Sequence, residues 1–355
     1  MTVQPKTYYH AIDTFRLLCA IAVVIVHITS QIPSNDMATW GNYYIYRYVL
    51  DIGSPFFFMT AGFIIYQKTA DLGASYLLSY VKKIFSYYII FTLFYMGARL
   101  LIEVGVASIN NESMRTAFLS QINKWSSLGL LNGSIGSFQL YFLVILIYSA
   151  LFIYLLLRFK CNTATIFGLS LAIYLAQSAG LLTTFNFFEY KSLAFGLLFV
   201  SLGYSLSSIK NNIRFRAPLF YVILFGIGYV LNFYYQIGLA WLLLPLFAFS
   251  LGAFCIQHPN LGKGSIITRL SSYSLAIYTL HIFVELLILK TVRVLGWQEF
   301  YTQPIYYVIT IILCVAVPMV IFKPIYQGAL WIKRKLLYTS QKPVATINHS
   351  KQKLG

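Results

Sequence analysis

Charge is scarce in this chain. Only 10% of its 355 residues are Asp, Glu, Lys or Arg, against 59% hydrophobic, and that balance excludes a soluble globular domain of this length. Cysteine is scarcer still, with four residues. Cys19, Cys161, Cys255 and Cys314 show no paired spacing and fall mostly in apolar runs, which argues against a disulfide framework and against a zinc site, so no metal centre is expected. The N-terminal stretch MTVQPKTYYHAIDTF has one Lys and no small-residue cleavage site after a short apolar core. The first apolar run therefore reads as a retained helix and not as a signal peptide. No internal repeat is visible, and no polar stretch is long enough for a soluble domain.

What the chain does have is apolar sequence of helical length. Ten segments are long enough to span a bilayer, at 14–32, 44–66, 84–107, 137–157, 163–182, 192–209, 217–235, 238–256, 271–290 and 304–325. They predict an all-α fold, a polytopic transmembrane helix bundle of about ten spans. The net charge of +17 does not point to nucleic acid, because the basic residues are scattered among short connections instead of forming one face. The expected partner is the lipid bilayer. Lys6 and Arg16, then Lys68, Lys82 and Lys83, then Arg158 and Lys160, then Lys210, Arg214 and Arg216, then Lys263 and Arg269, and finally Lys323 and the tail fall on alternate connections. The positive-inside rule then puts both termini in the cytoplasm. Aromatics at 18% suit many helix ends at water–lipid interfaces. The longest connection, 108–136, lies outside and contains AFLSQINKW, an amphipathic stretch suited to the membrane surface; GALWIKRKLLY after Pro324 has interfacial character too. Residues 1–338 form the membrane domain, and 339–355 a polar cytoplasmic tail expected to be disordered.

Within the first span, RLLCAIAVVIVH places Arg16 and His27 eleven positions apart. At about 100° per residue the two side chains share one face, and the rise between them is about 16 Å, half of a bilayer core. Ionisable groups in a span tend to mark a substrate or proton path. The plainer readings are a packing histidine and a snorkelling arginine at the inner interface. Asp13, three residues before Arg16, can pair with it and hold it in place.

Other polar residues interrupt later spans. His281 and Glu285 are four apart, so the carboxylate could orient the imidazole, and His281 could face His27 across the bundle. Arg47 with Asp51, and Arg99 with Glu103, have the spacing of ion pairs near outer helix ends. Gln139, Asn232 and Gln236 suit interhelical hydrogen bonds.

The run IDTFRLLCAIAVVIVH resembles the opening helix of the acyltransferase 3 family, a basic residue, ten residues and a histidine. SPFFFMTAGFII resembles its second-helix pattern, with Thr60-Ala61 where Ser commonly precedes Gly62. FQLYFLVILI resembles its Leu-Trp-Phe-Leu helix, with Tyr141 for Trp. SSYSLAIYTLHIFV resembles its late helix and supplies Ser274, Tyr278 and His281. One departure is YVKKIFSYY: Lys82 and Lys83 stand where many members have two arginines, and a lysine is a point charge and not a bidentate fork. The resemblance implies an O-acyltransferase that moves an acyl group, acetyl foremost, from cytoplasmic acyl-CoA to a hydroxyl of a cell-envelope glycan or lipid-linked sugar. It implies a bacterial plasma membrane, no resident cofactor, and acyl-CoA as donor. His27 is then the expected base, with Arg16, Lys82 and Lys83 meeting the CoA phosphates, and Asp13, Tyr278, His281 and Glu285 in support. A glycan exporter or flippase is the competing reading.

Overall fold

The structure, a computed structural model, describes residues 7–30, 47–182, 193–214 and 216–340. Lys6, Lys191 and the tail from 341 onward lie outside the described residues. The described chain is helical throughout, with no strand. In chain order the helices are α1 (His10–Thr29), α2 (Gly53–Leu72), α3 (Ser75–Ile109), α4 (Met114–Ile122), α5 (Ser127–Asn132), α6 (Tyr141–Arg158), α7 (Thr163–Ser178), α8 (Leu193–Ile209), α9 (Pro218–Tyr234), α10 (Ala240–Gln257), α11 (Ile266–Leu270), α12 (Ser274–Val294) and α13 (Pro304–Ser340).

Seven spans are long and apolar enough to cross a bilayer, and α7, α8 and α9 are shorter apolar helices. Together they fall on the ten expected segments, and AFLSQINKW is largely within α4. Polar loops start the helices that follow them. Ser113, Asn162 and Ser265 each accept a backbone N–H of the first turn of α4, α7 and α11, which satisfies donors that a helix start leaves open. The tight link between α9 and α10 is closed by Asn232, whose Oδ1 accepts the Leu239 amide at 2.6 Å, while Gln236 and Gly238 adopt positive φ.

The centre of the bundle is set by glycine. A Cβ on Gly62 of α2 would lie 1.9 Å from the Val200 carbonyl oxygen of α8, and one on Gly203 of α8 would lie 1.8 Å from that of Met59. The two backbones touch because nothing stands between them, as small residues permit in membranes. Nearby, Pro245 breaks the ladder of α10 and frees the carbonyl four residues back. That carbonyl, Trp241 O, accepts the Tyr174 hydroxyl of α7 at 2.9 Å. α1 lies against α2 and α12, and this junction positions the residues of interest.

Candidate functional site

Arg16 sits in the second turn of α1, and its Nη1 donates to Asp13 Oδ1 at 3.3 Å. Asp13 also accepts the hydroxyl of Tyr8. That hydrogen bond holds the phenol proton in place and raises the Tyr8 pKa above its ordinary value. The carboxylate thus tethers the guanidinium without enclosing it, and the Arg16 side chain remains 28% exposed. It lines a cavity of about 490 Å³ with Lys83, Tyr80 and Tyr87 of α3, Thr60 of α2 and Tyr278 of α12. Lys83 therefore joins Arg16. Lys82 is exposed and does not line the cavity. The α3 positions that line it, from Tyr76 through Ser79, Tyr80, Lys83 and Ile84 to Tyr87, recur at helical spacing on one face, and Lys82 falls outside that stripe.

Farther along α1, His27 meets α12. Its ring centroid is 5.4 Å from that of His281, with planes 27° apart, and 5.0 Å from that of Phe138. His281 is fully buried. Its Nδ1 lies 3.0 Å from the carbonyl oxygens of both Ile277 and Tyr278, and its Nε2 has no hydrogen-bond partner among the described residues. Tyr278 connects the two places. It lines the cavity, and its ring centroid is 6.3 Å from that of His281. Tyr278 thus borders both the cation-lined cavity and His281 of the histidine pair.

Two sequence expectations change. Glu285 is buried but does not orient His281, whose Nδ1 is taken by carbonyls of its own helix. Helical side chains lean toward the N-terminus, which carries the imidazole down onto the preceding turn. Arg99 does not pair with Glu103 either. Lys290 of α12 reaches the Glu103 carboxylate at 2.8 Å, because a cation on the packed neighbour competes with one on the same helix face.

The structure also adds residues. The Tyr95 hydroxyl donates to Thr279 O at 2.8 Å, and accepts from Phe283 N at 3.1 Å and from Gln139 Nε2 at 2.6 Å. Thr279 and Phe283 bracket His281 on α12, so α3 and the 3-10 turn Phe138–Leu140 just before α6 together grip the turn that carries it. Gln139 was visible in the sequence as a polar residue in an apolar run. Tyr95, one of 29 tyrosines, gave no signal. No cluster of three or more His, Cys, Asp or Glu suited to a metal occurs among the described residues.

An amino-acid racemase of Enterococcus faecalis is 33% identical over 75 residues, which is 21% of this chain and 10% of that protein. The match thus spans about a tenth of the length of that curated relative. No solved structure matches. The model of the acyltransferase 3 family, described as an acyltransferase domain, matches residues 9–323 and so takes in α1 through most of α13. With apolar helices throughout and Arg16, His27, Tyr278 and His281 inside the matched region, this membrane protein belongs to the acyltransferase 3 family.

Proposed function

We propose that the protein is a membrane O-acyltransferase that moves an acyl group, acetyl in the first instance, from cytoplasmic acyl-CoA to a hydroxyl of an envelope glycan or lipid-linked sugar. We place it in a bacterial plasma membrane. The observation that carries this reading is Tyr278, which joins a cavity bearing Arg16 and Lys83 to the pair His27 and His281. Arg16 and Lys83 meet the phosphates of CoA at the inner mouth, Arg16 as a planar fork and Lys83 as a point charge. The thioester end extends past Tyr278 toward His27. A hydroxyl is a poor nucleophile at neutral pH and needs a base within hydrogen-bond reach. His27 takes the hydroxyl proton, the oxygen attacks the thioester carbonyl, and the leaving thiolate takes the proton from His27 as free CoA.

The test uses purified full-length protein, acetyl-CoA and a panel of methyl glycosides, with CoA release as the readout. Release that rises with a hydroxyl acceptor is expected. His27→Ala should lower transfer by about 10²–10⁴-fold while acetyl-CoA binding persists, since a general base acts in the transition state. A folded His27→Ala protein with near-normal transfer overturns the assignment. Glycan flux across vesicles without CoA release would establish an exporter instead.

A further inference from the structure

We propose that Nε2 of His281 is the hydrogen-bond acceptor that steadies His27 once His27 has taken up a proton, so that His281 is a positioning residue for the base. This rests on the acyl-transfer reading above. The first observation is a fixed tautomer. Nδ1 of His281 faces two carbonyl oxygens, those of Ile277 and Tyr278, each at 3.0 Å. Only an N–H suits two acceptors, so Nδ1 carries the proton and Nε2 keeps its lone pair. That lone pair is buried and has no donor among the described residues. A buried acceptor left without a partner is costly, and one placed beside a second ionisable group in an apolar bundle calls for a use.

The second observation is the spacing of the pair. The centroids are 5.4 Å apart with planes at 27°. Rings in face contact would approach to about 3.5–4 Å, so these rings are offset. Two imidazoles joined edge to edge by an N–H···N bond of about 3 Å have centroids about 5 Å apart. The range is already right, and the terminal torsion of His27 that would align the edges is soft.

Neutral His27 has one N–H. After it takes the hydroxyl proton both ring nitrogens are donors. One remains at the reacting groups and the other meets Nε2 of His281. The proton stays on His27 until the CoA thiolate collects it, while the acyl carbon exchanges its bond to sulfur for one to the acceptor oxygen. The bond to His281 is charge-assisted only while His27 is charged, so it favours the transition state over the bound substrate. Tyr95 and Gln139 keep the acceptor in range, because the Tyr95 hydroxyl bridges Thr279 O and Phe283 N across the turn that holds His281.

Two substitutions separate ring from acceptor. His281→Phe keeps a flat ring without Nε2, and His281→Gln returns an amide oxygen near that position. With full-length protein in lipid nanodiscs, acetyl-CoA as probe and CoA release as readout, His281→Phe should lose about 10–100-fold in kcat with KM for acetyl-CoA within about twofold. His281→Gln should recover much of that loss. Full turnover in His281→Phe, a Gln variant no better than Phe, or a KM that rises as far as kcat falls would each overturn the proposal. Because a substitution inside the bundle can unfold it, the wild-type protein gives a second measurement. Histidine-labelled 15N NMR should show His281 with Nδ1 protonated and Nε2 bare, and the opposite tautomer overturns the proposal. Normal transfer by His27→Ala would remove His27 as the base and this inference with it, while wild-type protein that releases no CoA with any hydroxyl acceptor would remove the acyl-transfer reading on which both rest. An inactive His27→Ala protein beside a fully active His281→Phe protein would remove this inference alone.

Discussion

At the residue scale, the two lysines of α3 give the cleanest contrast. Lys83 lines the cavity with Arg16, and Lys82 does not. If the cavity holds CoA phosphates, Lys83→Ala should raise KM for acetyl-CoA several-fold with kcat little changed, and Lys82→Ala should leave both within about twofold, since lost phosphate contacts act on ground and transition states alike. Steady-state kinetics on the two variants checks this, and unchanged kinetics in both would return the pair to a topological role. Arg16→Ala should weaken acetyl-CoA binding more than Arg16→Lys, because an ammonium cannot make a two-pronged contact; isothermal titration with CoA reads the order. Much of this site was legible in the sequence. Arg16 and His27 stood out because charge inside an apolar run is rare, and Asp13 stood in reach of Arg16. Glu285 was misread because helical spacing says which residues share a face and says nothing of how a side chain leans. Tyr95 was unreadable because its importance lies in a hydrogen bond to a helix far along the chain.

At the element scale, α2 and α8 are held by what is missing between them. A methyl group on Gly203 would fall within 1.8 Å of the Met59 carbonyl oxygen, and one on Gly62 within 1.9 Å of that of Val200. Backbone cannot swing aside as a side chain can, so Gly203→Ala must push the helices apart. Overpacking of this kind costs about 1–3 kcal/mol, and a lowered melting temperature with reduced monodisperse yield is expected. A Gly203→Ala protein as stable as wild type would mean that the two backbones do not meet as closely as the structure has them. Tyr174→Phe is a gentler probe of the Pro245 break. It leaves Trp241 O without its donor and should cost about 1 kcal/mol, read by thermal unfolding. The helices themselves were legible from hydrophobic length alone. Their pairing was not, because Gly62 and Gly203 lie far apart in the sequence and neither announces its partner.

At the scale of the whole molecule, the open quantity is the number of crossings, and hydrogen bonds at one end of the bundle bear on it. Ala11 N donates to Pro259 O at 3.3 Å, and the Thr14 and Thr268 hydroxyls lie 2.9 Å apart. The connection before α12 therefore lies at the same end as the start of α1. An even number of crossings must separate two points on one side of a membrane. Counting only the long helices α1, α2, α3, α6 and α10 gives an odd number, so α7, α8 and α9 must supply an odd number more. Three crossings by those three helices satisfy this, and ten spans with the shared end on the cytoplasmic side, as the positive-inside rule expects, is the arrangement to test. Cysteine labelling in intact cells decides it. Cys19, Cys255 and Cys314 are buried, so a Cys161→Ser background leaves little to react. Ser120→Cys should label from outside, and Asn212→Cys and Asn260→Cys only after permeabilisation, all three positions being exposed. Asn260 is the discriminating position, because a chain crossing with only its seven long spans would put it outside while keeping Ser120 outside and Asn212 inside. Labelling of Asn260→Cys from outside would break the ten-span bundle. It would also contradict the joining of the α1 start to Pro259 and Thr268, and with it the parallel run of α1 and α12 that brings His27 to His281.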